Sequence, residues 1–195
     1  DRFRAAGKPV FTHAIAYSDD ALLLAAHADE VWIDPMGGVA VRGPGGARQY
    51  YGAALDRFNI NARVFRVGTY KSAVEPFLGN GMSPEARANT EELYAALWEE
   101  WQENVRRARP RANIAAVTQD YPALISAAGG DLAQAAISAG LADKAGTYEQ
   151  WGSRIAEVAA ADEWDETPGA FAHTEYDPWL AEIGPNRADA IGDGA

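Results

Sequence analysis

Of the 17 basic residues in this 195-residue chain, only Lys8, Lys71 and Lys144 are lysines; the other fourteen are arginines. Lysine can give up its proton and act as a base, whereas arginine effectively cannot. Each lysine is therefore a candidate for chemistry, and Lys71 has the most suggestive surroundings. It follows a β-patterned run, in a loop that carries Gly68 and closes on Pro76-Phe77. A lysine base must be neutral near pH 7 to 8, a drop of roughly 3 units from about 10.4, normally supplied by desolvation. Val67, Tyr70, Val74 and Phe77 are the apolar residues to line such a pocket. The plainer alternative is a surface lysine paired with Glu75 four residues on, which would hold the ammonium charged.

Other constellations carry less. Ser18-Asp19-Asp20, with His13 or His27 as base, has the residue types of a nucleophile site. A serine with two acids after it, ahead of an apolar run, is more simply a helix N-cap. An aspartate beside the serine would also oppose a developing oxyanion, which needs N–H donors. Gly43-Pro44-Gly45-Gly46 lacks the Lys-Ser/Thr that a phosphate-cradling loop needs. His13, His27 and His173 lie far apart and cysteine is absent, so no metal site, disulfide framework or cofactor is expected. Asp29, Glu30 and Asp34 flank a strand, where carboxylates are commonly just solvated, and core packing is the expected role of the six tryptophans.

The elements that must position Lys71 follow from periodicity. Val10–Ala16 and Val31–Asp34 are predicted strands, the second stopped by Pro35, and Val39–Val41 a third. Ser18 caps a helix over Ala21–Ala28, another runs from about Ala47 to Phe58, and Arg63–Val67 alternates as a strand. Strands separated by helices predict a parallel α/β arrangement for residues 1–80. Residues 81–160 are predicted mostly helical. Ser83-Pro84 starts a helix to about Arg107, with Ala88, Leu93, Leu97, Trp101 and Val105 on one face, and shorter helices follow at Pro122–Ala128, Leu132–Ala139 and Thr147–Ala160. Residues 161–195 carry Thr167-Pro168-Gly169, Asp177-Pro178 and Gly184-Pro185 and are predicted to be an extended connector.

Net charge is −11, which argues against a nucleic-acid partner, since phosphate contacts need clustered Lys and Arg. No apolar run is long enough to cross a membrane. The opening Asp1-Arg2-Phe3-Arg4 has no signal-peptide character and is patterned as the last turn of a helix, so a piece of a longer protein is expected.

Val64-Phe65-Arg66-Val67-Gly68-Thr69-Tyr70-Lys71-Ser72-Ala73-Val74-Glu75-Pro76-Phe77 is similar to the lysine motif of the signal peptide peptidase A (protease IV) family of the long, two-repeat bacterial type. Gly7-Lys8-Pro9-Val10, Ala28-Asp29-Glu30-Val31-Trp32, Tyr50-Tyr51, Met82–Arg87 and Gly140-Leu141-Ala142-Asp143 resemble it too, over essentially the whole chain. The resemblance implies an α/β fold, a partial crotonase/ClpP-like unit followed by a mostly helical segment. This chain would be the C-terminal part of the first repeat plus the connector to the second. It implies a Ser/Lys-dyad serine peptidase that degrades cleaved signal peptides, with Lys71 as general base and the serine in the second repeat. Ser18-Asp19-Asp20 stands where an active repeat would have Ser-Gly-Gly, in keeping with a repeat that supplies only the base. Further implications are a ring-shaped homo-oligomer of four copies and a bacterial inner-membrane location facing the periplasm, with the anchor outside this chain. A non-catalytic crotonase-like scaffold and a crotonase-fold acyl-CoA enzyme are the competing readings.

Overall fold

The structure, a computed structural model, describes residues 2–68 and 70–183. A short helix α1 (Arg2–Ala5) leads through a Gly7 turn into strand β1 (Phe11–Ser18). Helix α2 (Asp19–Ala25) returns the chain to strand β2 (Glu30–Ala40), which pairs with β1 in parallel. The expected α/β fold with a parallel sheet is present. The Ser18 side chain accepts from the Ala21 N–H, so this serine is the N-cap of α2.

Pro35 does not end the second strand, and the two strands expected on either side of it are one. Between Ala14↔Ile33 and Ala16↔Gly38, one residue of β1, Ile15, faces four of β2, so Asp34–Gly37 bulge out of the ladder. A bulge tolerates proline because its N–H is not needed for pairing. The Asp34 side chain accepts from the Met36 N–H inside the bulge. A Cβ at Gly37 would sit 1.8 Å from the Ile15 carbonyl oxygen, so only glycine fits there.

After the loop at Val41–Gly46 comes helix α3 (Gly52–Arg57), shorter than expected. Arg63–Val67 is not a strand, which corrects the sequence reading. Its backbone makes no ladder with any described residue, and alternation alone cannot hold an extended segment without a neighbour. A 3-10 turn (Ser72–Phe77) then leads to the long helix α4 (Pro84–Ala108). Of the face expected on α4, Trp101 and Val105 reach the core, while Leu93 and Leu97 stay exposed.

Helices α5 (Ile114–Gln119), α6 (Tyr121–Ala127) and α7 (Leu132–Ser138) follow, and α7 packs across β2. The helical stretch also contributes a strand, β3 (Lys144–Ala145), which makes the sheet order β1-β2-β3. Leu22, Val31, Ile33, Val39, Val105 and Leu141 are the largest fully buried side chains among the described residues. Helix α8 (Tyr148–Ala159) opens with a Thr147–Gln150 capping box. The expected extended connector contains a further helix, α9 (Tyr176–Ile183), because Asp177-Pro178 falls in a first turn, where proline costs no hydrogen bond. The expectation for Gly184-Pro185 lies outside the described residues.

One knot fastens the sheet to α8. Glu30, at the start of β2, accepts from Arg154 Nε and Nη2 through Oε1 (3.0 and 2.8 Å). Its Oε2 accepts from Lys144 Nζ (3.0 Å) and Trp32 Nε1 (2.9 Å). Burial alone would raise this carboxyl, but the donors outweigh it and hold the pKa at about 2.

Candidate active site

Lys71 stands at the N-terminal boundary of the 3-10 turn, exposed, on a shallow depression of about 560 Å³. Phe65, Val67, Tyr70 and Val74 are among the residues that line it. Of the four apolar residues expected around the lysine, Phe77 is absent. It stacks on Tyr51 instead, ring centroids 5.8 Å apart, and Phe65 stands in its place. The rim is open to water: Phe65 is 96% exposed, Val67 85% and Tyr70 67%. Within the described residues the lining is apolar but does not desolvate the amine.

Glu75 does not pair with Lys71. It is a buried carboxylate, 6% exposed, and its partners come from elsewhere. Ser83 donates to it twice, from the backbone N–H to Oε2 at 3.1 Å and from the hydroxyl to Oε1 at 2.6 Å. Arg66 Nη1 lies 3.4 Å from Oε1 and 3.3 Å from the Lys71 carbonyl oxygen. The Ser83 hydroxyl and then the Ser83 N–H hold the Glu75 carboxyl below its ordinary range; burial opposes them, and Arg66 adds a smaller lowering. Why the local i,i+4 pair fails is geometric. Positions four apart are neighbours on an α-helix, but three residues per turn swing the fourth about 120° away.

The loop is gripped from its other side by α3. The Tyr51 N–H donates to the Pro76 carbonyl at 2.7 Å, Gly52 N–H to Gly79 carbonyl at 3.1 Å, and Ala53 N–H to Asn80 Oδ1 at 2.5 Å. These are the unpaired N–H groups of a helix start, here satisfied by the lysine loop. The approach needs glycine at 52, since a Cβ there would lie 2.6 Å from the Gly79 carbonyl oxygen. Arg66, Gly52 and Asn80 were not singled out by sequence. Ser83 was, but as the helix cap alone.

The other candidates are structural. The Asp19 carboxylate accepts from the backbone N–H groups of Arg42 (3.2 Å) and Gly43 (2.8 Å), and its carbonyl accepts from Trp101 Nε1 (2.9 Å). Asp19 thus ties the loop after β2 to the start of α2. His13 Nε2 donates to the Gly146 carbonyl at 2.9 Å, and its ring packs between Tyr148 and Trp151. Lys144 is spent on Glu30, and Lys8 lies over the Phe3 ring at 5.8 Å. Trp32 and Trp101 are core residues as expected; Trp164 and Trp179 are exposed, against that expectation. Among the described residues no group of three or more His, Asp and Glu could hold a metal ion, and no helix is long and apolar enough to cross a membrane.

The model of peptidase family S49 matches residues 2–162. The chain is similar to Protease 4 of Haemophilus influenzae, 44% identical over 96 residues, which covers 49% of this chain and 16% of that protein. It is 38% identical to Protease 4 of Salmonella typhi over 144 residues, 72% of this chain and 23% of that protein. The matched stretch thus spans under a quarter of the length of either relative.

Proposed function

The chain belongs to peptidase family S49, and on that premise we propose that it is the lysine-bearing part of a Ser/Lys-dyad serine peptidase, with Lys71 as general base. The observation that carries this reading is the placement of Lys71. It sits on an apolar-rimmed depression, its loop is held by both α3 and α4, and the nearest acid in sequence is committed elsewhere. Amine, apolar rim and rigid support are what a neutral lysine base requires, once something covers the rim.

In this mechanism the serine lies in a second repeat outside these residues. Lys71 takes the serine proton as the hydroxyl attacks the amide carbonyl, and the resulting ammonium protonates the leaving amine. The same repeat closes over Phe65, Val67 and Tyr70 and supplies the missing desolvation. By itself the chain is inactive. The substrates are cleaved signal peptides, met by a ring of four copies at the periplasmic face of the inner membrane, anchored by a segment outside this chain.

The test is Lys71→Ala and Lys71→Arg in the full-length protein, assayed on short apolar peptide esters. A positioned general base is worth about 10²–10⁴ in rate, so both variants lose that much. Retained turnover in Lys71→Arg excludes a neutral-lysine base. Coenzyme A binding by calorimetry would favour the acyl-CoA reading instead.

A further inference from the structure

Glu75 is the one charged side chain among the described residues that is buried. A buried carboxylate is costly unless its oxygens are satisfied, and the costs concentrate where position matters. Its donors come from two separate segments: Arg66 before the lysine, and Ser83 at the start of the 25-residue helix α4. The Arg66 nitrogen that reaches Glu75 also reaches the Lys71 backbone carbonyl. A continuous polar chain therefore runs from the cap of α4, through Glu75 and Arg66, to the backbone that presents Lys71.

We propose that Glu75 is a positioning residue for Lys71: clamped by Arg66 and Ser83 beneath the lysine loop, it sets that loop's place and is withheld from the Lys71 ammonium. The inference rests on the reading of Lys71 as base, and adds a role to residues which that reading does not need. Among the described residues, the ionisable groups lining the depression are Arg66 and Tyr70, with Glu75 beside them in the 3-10 turn. Arg66 thus keeps the nearby carboxylate occupied and ties it to the Lys71 backbone.

The full-length protein tests this through the pH dependence of kcat/KM on a peptide ester. Arg66→Gln removes the cation and one of the three donors to Glu75, leaving that negative charge less balanced beside the lysine loop, so the acid limb moves up by about one pH unit, the size a nearby opposite charge produces. Arg66→Lys keeps a cation and leaves the limb in place. The double variant Arg66→Gln with Glu75→Gln removes the uncompensated carboxylate as well and brings the limb back toward the wild-type position. Loss of fold or of loop packing alone would lower rates without moving the limb in these opposed ways. An unmoved limb in Arg66→Gln, or a double variant whose limb does not return, overturns the proposal. Lys71→Ala runs beside them. If it stays active, the base assignment itself falls; if it is dead while the Arg66→Gln limb is unmoved, only the role of Glu75 falls.

Discussion

The Ser83 hydroxyl faces two ways: it donates to Glu75 Oε1 at 2.6 Å and accepts from the Ala86 N–H at 3.2 Å. One oxygen caps α4 and satisfies the buried acid of the lysine loop.

Aspartate is ordinarily as good an N-cap as serine, so Ser83→Asp would be harmless if capping were the whole role. Here it places a second carboxylate against Glu75. We expect Ser83→Asp to be less stable than Ser83→Ala, which itself loses about 1–3 kcal/mol from cap and acid together. Urea midpoints of the three proteins give the order, and Asp at or above Ala would contradict it.

Gly52→Ala tests the grip of α3 on the loop. A methyl at 2.6 Å from the Gly79 oxygen forces the loop or the helix start to move. Overpacking of this kind costs about 1–3 kcal/mol. Peptide-ester turnover should fall together with the melting temperature. Unchanged turnover would separate the loop's position from the chemistry.

Ser18→Ala should leave turnover of the full-length protein within about twofold while costing about 0.5–2 kcal/mol of stability, the value of a helix N-cap. A loss of activity as large as that of Lys71→Ala would make Ser18 a nucleophile and undo the assignment of the serine to another repeat.

Glu30 gives a pH signature. Its folded pKa of about 2 lies below the unfolded value of about 4.3, so the stabilisation is complete above the unfolded value and fades as pH falls toward 2. The difference corresponds to at most about 3 kcal/mol. Unfolding midpoints of the wild type and Glu30→Gln should differ most near pH 7 and converge between about pH 4 and 2. Parallel curves across that window would refute the account.

Much of this architecture was legible in the residues. The capped start at Ser18, the β-branched runs of β1 and β2, and the Ser83-Pro84 opening of α4 follow from local chemistry. Lys71 was found by its scarcity and its motif. What surrounds it was not, because Glu75 at four residues' distance implies a pair on an α-helix, and nothing local announces the 3-10 geometry that turns it away. Arg63–Val67 misled for a related reason: alternation describes what a strand would look like, not whether a neighbour exists to pair with it. The two residues of β3 are too few to carry any period, and their strand state depends on β2 beside them.

The bulge at Asp34–Gly37 makes β2 two short strands in series. Ile33 is buried by the register of one half and Val39 by that of the other, each ladder set independently against β1. In an unbroken strand, one inserted residue would turn every side chain beyond it inside out. Here the crest at Met36, 91% exposed, can absorb a change of length before it reaches Val39. The bulge is therefore where β2 has room for a change of length, provided Gly37 stays a glycine.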